Sequence, residues 1–213
     1  MMNIWIGCDD QFNDNISKQV HSIIQHANGL FNIKYLRLPE LREITRPRDP
    51  NQSTDSAFTR WIIPQLHGFT GWHLYMDSDM LVCKNLNQLW DLRDNSKAVM
   101  VVKHTVIHKE GIKFNNMPQK NYPRKNWSSL MLFNARRCTQ LTADYINTAS
   151  GLDLHQFKWL DDDLIGELPA EWNHLVGIDP PNPNPGIVHW TLGGPWFKEY
   201  SNVEHADKWN LLH

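Results

Sequence analysis

Residues 74–80 read LYMDSDM, so that two carboxylates, Asp77 and Asp79, stand one residue apart directly after an apolar run that reads as the end of a buried strand. On extended backbone, side chains at i and i+2 point to the same face. Carboxylates held that close repel each other unless a cation lies between them or one takes up a proton. The chemistry this pair could do is therefore to hold a divalent cation. The other reading is a polar turn, since Asp and Ser bond their own backbone at turn positions. The segment alone does not separate the two, so the elements around it have to.

NIWIGC (3–8) is a short apolar run ending on Asp9 and Asp10, which predicts a first strand. NISKQVHSIIQHA (15–27) places Ile16, Val20, Ile23, Ile24 and Ala27 at helical spacing, with Asn28 and Gly29 as a stop. IKYLRL (33–38) alternates as a second strand. A βαβ opening of this kind predicts a parallel sheet with right-handed crossovers. TRPRDPNQ is a loop, and a helix is expected through DSAFTRWIIPQL (55–66), kinked or ended at Pro64. GWHLYMD (71–77), AVMVVKH (98–104) and WSSLMLFN (127–134) are further strands. ARRCTQLTADYIN (135–147) reads as helical and LDDDLIGEL (160–168) as a short helix with an acidic start. PPNPNPG is a rigid loop that delivers a last strand, IVHW (187–190).

In open α/β sheets, ligands bind outside the carboxyl ends of the strands. Asp9 and Asp10 end the first strand, Asp77 and Asp79 the third, and His189 lies near the end of the last. Three separated segments thus deliver acids and an imidazole to one edge. His104 and His108 have the i,i+4 spacing of a metal pair, but no third ligand stands at a matching spacing, and they read as a strand-end and a loop histidine.

The bulk composition bounds the rest. At 213 residues the chain suits one domain spanning 1–213 with a core of its own. Lys and Arg number 21 against 23 Asp and Glu, for a net charge of -2, which argues against nucleic acid and anionic membranes as partners. Cys8, Cys83 and Cys138 are scattered and unpaired in spacing, which fits a reducing compartment. MMNIWIGCDD reaches acids too early for a signal peptide, and no apolar run approaches membrane-spanning length. The reading is a cytoplasmic protein without an integral membrane segment, which a partner could still hold at a membrane. Ten tryptophans exceed what a core of this size needs, and carbohydrate sites favour such flat faces with a polar edge.

The blocks IWIGCDDQF, STDSAFTRWIIPQL, HLYMDSDMLV, WSSLMLFN, LDDDLIG and VHWTLGGPWF occur in the order seen in retaining glycosyltransferases of family 8, which the chain resembles over most of its length. The resemblance implies an α/β GT-A fold, a Rossmann-like mixed sheet flanked by helices. It implies that Asp77 and Asp79 bind a divalent ion with His189 as third ligand. Two carboxylates and one imidazole suit Mn²⁺ better than Mg²⁺, which is the second choice. Asp9, Gln11 and Phe12 fall in the family's nucleobase pocket, to accept from, contact and stack on the base. Arg60 stands where the family keeps a basic residue facing the donor, and Ser78, between the two acids, joins the donor-binding set. Asp162 takes the place of the residue facing the donor sugar's anomeric carbon, and Asp161 that of a neighbouring acid on the sugar hydroxyls.

Two blocks depart from the family pattern. Gly194 precedes Pro195 and Trp196 where the family usually has a lysine that clamps the diphosphate. Backbone N–H groups of Gly193 and Gly194, or Lys198, Lys103 or Arg60, are the substitutes. Trp127, Ser128 and Ser129 replace the usual Asn-Ala-Gly, so the polar contact to the sugar is expected from Ser128. The reading is a metal-dependent retaining glycosyltransferase moving a hexose from a nucleotide sugar, a UDP-hexose, to a hydroxyl acceptor. The rivals are a non-catalytic nucleotide-sugar or carbohydrate-binding protein and a metal-dependent nucleotidyltransferase. The latter would want a Gly-rich basic loop after the first strand, which GCDDQFND lacks.

Overall fold

A computed structural model describes residues 1–9, 13–49, 52, 54–105, 111–112, 118–119 and 122–212. The chain runs β1 (Met2–Gly7), α1 (Asn13–His26), β2 (Phe31–Leu36), α2 (Ser56–Thr59), α3 (Ile63–Leu66), β3 (Trp72–Met76), β4 (Met80–Val82), α4 (Leu86–Trp90) and β5 (Val99–Val101). It continues through β6 (Gly111–Ile112), β7 (Pro118–Gln119), β8 (Leu130–Asn134), α5 (Ala143–Thr148), α6 (Gly151–His155), β9 (Ile165–Glu167), β10 (His174–Leu175), β11 (Ile187–His189) and α7 (Ala206–Asn210).

The main sheet has the order β2-β1-β3-β8-β5-β9, and a second has the order β10-β11-β4. As the βαβ opening predicts, β1 pairs parallel with both β2 and β3. The sheet as a whole is mixed, because β8 runs antiparallel to β3 and β5. Strand alternation feeds two cores. Ile4, Ile6, Leu74, Met76, Leu130 and Leu132 join Ile16 and Ile23 of α1 on one face. Trp5, Tyr75, Met131 and Phe133 join Phe58, Trp61, Ile62 and Ile63 on the other. With both faces covered, the strands are apolar at nearly every position, as a sheet sandwiched between helical layers requires.

The buried stripe of α1 differs in part from the one its apolar spacing predicts. Ile24 is exposed, whereas Gln19 and Ser22 are buried. The reason is hydrogen bonding: Gln19 Nε2 donates to the Asp77 carbonyl at 2.8 Å, and Ser22 Oγ accepts from the Val82 amide at 3.1 Å. Two polar side chains thus secure backbone groups on either side of the DSD turn.

Three expected helices come out shorter or broken. Over 55–66 the helix is interrupted by a 3-10 turn at 60–62, because Pro64 has no N–H to return to the carbonyl four residues back. In 135–147 a 3-10 turn at 135–137 gives way before α5, which starts afresh where Thr142 caps the Tyr145 amide at 3.2 Å. In 160–168 only 162–164 is 3-10 helical, since Ile165–Glu167 pairs with β5 as an edge strand.

Candidate active site

Strand register brings the polar segments together. Ile6 lies beside Met76, so the ends of β1 and β3 open side by side onto Asp9 and Asp77. Because β8 is antiparallel, its beginning meets the end of β3, and the Asp77 amide donates to the Ser129 carbonyl at 2.9 Å. In the second sheet His189 lies opposite Met80, and the Trp190 amide donates to the Asp79 carbonyl at 3.1 Å. Asp77–Asp79 itself is a turn joining β3 to β4, not extended backbone, so the polar-turn reading of LYMDSDM holds, and this turn places the two acids beside His189.

A cleft at this edge is lined by Asp9, Asn15, Ser56, Arg60, Asp77, Ser78, Asp79, Ser128, His155 and His189, together with Thr191 and Trp196. Asp77, Asp79 and His189 each offer a ligand atom within 4.8 Å of the others. Each acid is held differently. Arg60, 5 % exposed, sets Nη2 2.9 Å from Asp77 Oδ1, gives Nη1 to the Ser128 carbonyl at 2.7 Å and Nε to the Ser56 carbonyl at 2.7 Å. Tyr75 Oη donates to Asp77 Oδ1 at 2.6 Å. Gly7 makes room for that hydroxyl, since a Cβ there would come within 2.4 Å of it. Burial pushes the Asp77 carboxyl above its ordinary range, against the pull of Arg60, and the Asp79 charge adds to the push.

His189, almost fully buried, is oriented by an unbroken chain of hydrogen bonds. Ser129 Oγ donates to the Asn126 carbonyl at 2.7 Å and so accepts from Asn173 Nδ2 at 2.9 Å. That orientation turns Asn173 Oδ1 toward His189 Nδ1, 2.9 Å away, which makes Nδ1 the protonated nitrogen. Nε2 is then left facing Asp79 Oδ1 at 3.2 Å. A lone pair and a carboxylate oxygen at that distance need a proton or a cation between them. The donor set, two half-buried acids, one of them held by Arg60 and Tyr75, and one tautomer-locked imidazole, fits a divalent ion.

Asp9 also lines the cleft, its Oδ1 accepting from the Asp55 amide at 2.6 Å, and burial pushes its carboxyl upward. Gln11 and Phe12 lie outside the described residues, as does His108. His104 lies three residues past β5, which stops at Val101 and not at the expected His104, and its Nδ1 is 4.0 Å from Asp179 Oδ1. Ser128 reaches the cleft, its Oγ 2.7 Å from His155 Nδ1.

Asp161, Asp162, Gly193 and Gly194 are not on the wall, and Arg60, which is, is already committed. Asp161 and Asp162 are exposed, and Asp162 pairs with Arg124 at 2.5 Å. The Gly193 amide donates to the Trp190 carbonyl at 2.9 Å, and Gly194 gives way to the Trp196 ring, which a Cβ there would meet at 2.2 Å. Arg60 has three of its nitrogens committed within the protein. Tyr75 and Asn173 are absent from any sequence pattern, since one reads as a core position of a strand and the other as a loop polar residue. Asn173 has no exposed surface, and its role follows from its buried partners, Ser129 and His189.

Residues 8–197 match the family described as glycosyl transferase family 8. Protein CDI of Arabidopsis thaliana is 35% identical over 218 residues, covering 97% of this chain and 83% of that protein. Among solved structures, the apo bifunctional glycosyltransferase WbbM is similar with a TM-score of 0.70 and 19% identity over 98% of this chain. The apo glycosyltransferase GlyE of Streptococcus pneumoniae gives 0.65 and 18% over 98% of this chain. Galactosyltransferase LgtC, in complex with donor and acceptor sugar analogues, gives 0.66 and 13% over 98% of this chain and 94% of its own. This chain spans 48% of WbbM and 59% of GlyE. At these identities the likeness is one of fold, and the fold is GT-A.

Proposed function

Because the chain belongs to glycosyl transferase family 8 and is by family and fold a GT-A glycosyltransferase, we propose that it moves a hexose from a UDP-sugar to a hydroxyl acceptor, with retention and with a divalent ion, Mn²⁺ before Mg²⁺. The observation that carries this reading is the convergence of Asp77, Asp79 and His189 within 4.8 Å beside Asp9, at the carboxyl ends of β1 and β3. When bound, the ion neutralises charge on the departing nucleoside diphosphate.

The residues of the chain do the rest. Arg60 and Tyr75 keep Asp77 in place, and Asn173 keeps His189 in one tautomer. Asp9 accepts from the base, with Gln11 and Phe12 following it in the chain. Ser78 and Ser128 contact the donor from the turn and from the start of β8. The acid facing the anomeric carbon is assigned to Asp162, with Asp161 beside it on the sugar hydroxyls. What supports this is position: Arg124, which holds Asp162, belongs to the segment whose Tyr122, Asn126 and Ser128 line the cleft. An anion there would stabilise positive charge developing on the sugar. In place of the absent lysine, Trp196, which lines the cleft, borders the diphosphate.

The test is UDP release from a panel of UDP-hexoses, with Mn²⁺ and with chelator, followed by the anomeric configuration of the product by NMR. Turnover that needs Mn²⁺ and keeps the donor's configuration is expected. Gly194 in the lysine position favours one rival, a nucleotide-sugar-binding protein without turnover. Tight UDP-sugar binding with no release across donors and a broad acceptor panel would establish that rival instead.

A further inference from the structure

One residue along from Asn173, His174 turns toward the C-terminal segment and meets a second group of metal-ligating side chains. His174 Nε2 lies 3.3 Å from Glu204 Oε2, and His205 Nε2 lies 3.2 Å from Glu204 Oε1. Ligand atoms of the three residues fall within 4.8 Å of one another. The two imidazoles are buried, with the His174 and His205 side chains 3 % and 7 % exposed, and Glu204, 27 % exposed, opens the group to solvent. Glu204 and His205 are neighbours in sequence, and the left-handed backbone of His205, φ 63°, lets their side chains converge.

Two imidazoles and one carboxylate form a donor set that zinc takes readily, and a tetrahedral ion with bonds of ~2.0–2.1 Å sets adjacent ligand atoms about 3.3 Å apart. Both observed nitrogen-to-oxygen separations match that edge. They are longer than the ~2.7–2.9 Å of charge-assisted hydrogen bonds between such groups. His205 Nε2 also lies at hydrogen-bond distance, 2.9 Å, from the Asn182 carbonyl oxygen, a bond the ring exchanges for the ion, and water completes the coordination. Asp179 Oδ2, 3.9 Å from His174 Nδ1 and fixed by the Leu175 amide at 2.8 Å, stands behind the ring where an orienting carboxylate belongs.

We propose that His174, Glu204 and His205 form a second metal site, one that takes Zn²⁺ and clips the C-terminal segment to β10. The segment needs such a clip. Its helix α7 has five residues, too few to be stable alone, and it carries Trp209, which packs with Trp190 and Trp196 beside the cleft. The proposal does not depend on the nucleotide-sugar reading, since its residues share no side chain with the cleft.

The test uses the full chain stripped with chelator and titrated with Zn²⁺, and with Co²⁺ as a spectroscopic probe, in an Asp79→Ala background that disables the cleft site. This background is expected to bind one zinc ion per chain, to show the intense visible bands of four-coordinate Co²⁺, and to melt at a higher temperature with zinc than without. Adding Glu204→Gln, close in shape to the original, is expected to abolish all three responses; His174→Ala should do the same if it folds. Absence of stoichiometric zinc in Asp79→Ala, or the same zinc retained after Glu204→Gln, would overturn the site.

Discussion

Asn173 Oδ1 accepts from His189 Nδ1 at 2.9 Å, and that bond decides which ring nitrogen faces Asp79. It comes from a side chain sixteen residues away that has no surface of its own. Partners behind a metal-ligating histidine fix its tautomer and typically change metal affinity 10–100-fold when removed.

Asn173→Ala is therefore expected to weaken Mn²⁺-supported UDP binding by about 10–100-fold and to lower stability by roughly 1–3 kcal/mol, since Ser129 and His189 each lose a buried partner. Titration calorimetry of UDP with and without Mn²⁺, together with urea unfolding, measures both. An unchanged metal dependence would remove Asn173 from the site.

Asp79 is the more exposed acid of the pair, its side chain 28% exposed against 21% for Asp77. Asp79→Ala should leave the fold intact and bring UDP affinity in Mn²⁺ down to the metal-free level. If the unmutated chain binds UDP equally with and without metal, the assignment of Asp77, Asp79 and His189 as ligands is wrong.

Arg60 and Asp77 are expected to behave as one unit. Arg60→Ala leaves the Asp77 carboxylate largely buried without its cation, at a cost of about 3–5 kcal/mol. Asp77→Ala strands the guanidinium in turn. The double variant should cost clearly less than the two single losses added together, a coupling readable from denaturant midpoints. Simple additivity would mean that the ion pair is incidental.

His67 stacks on His73 at 3.9 Å and meets the edge of Trp5, and burial lowers its pKa from 6.5 to about 4, with His73 and Lys34 adding to the shift. The folded state thus keeps this ring neutral where the unfolded chain would protonate it. The stability from this group is complete above about pH 6.5 and declines as pH falls toward about 4, where the unfolded state binds the extra proton. Partial exposure of the ring limits the effect. His67→Gln should flatten the fall in unfolding midpoint between those pH values, and an identical pH profile for the variant would discount His67 as its source.

Much of this protein was legible in the linear chain. The short apolar runs NIWIGC and HLYM report strands, because a strand covered on both faces is apolar throughout, and acids placed directly after such runs lie at the ligand-binding edge of a sheet with parallel central strands. Asp9, Asp77, Asp79, Ser128 and His189 all reach one cleft as that reasoning requires. Periodicity was weaker on helix continuity: Pro64 and the Thr142 cap break runs whose apolar spacing looks unbroken.

The tertiary structure alone decided what holds those residues. Arg60 reads from sequence as a group facing the donor, yet its guanidinium is spent on Asp77, Ser128 and Ser56. Tyr75, Asn173 and the group His174, Glu204 and His205 carry no local signal. The physical reason is that period and composition record which face of its own element a residue occupies, whereas a hydrogen bond or a shared ion depends on which elements the strand order and register set side by side. β8 running against β3, and β11 against β4, put Ser129, Asn173, His189 and Asp79 in one line, and nothing within any one of those segments specifies the others.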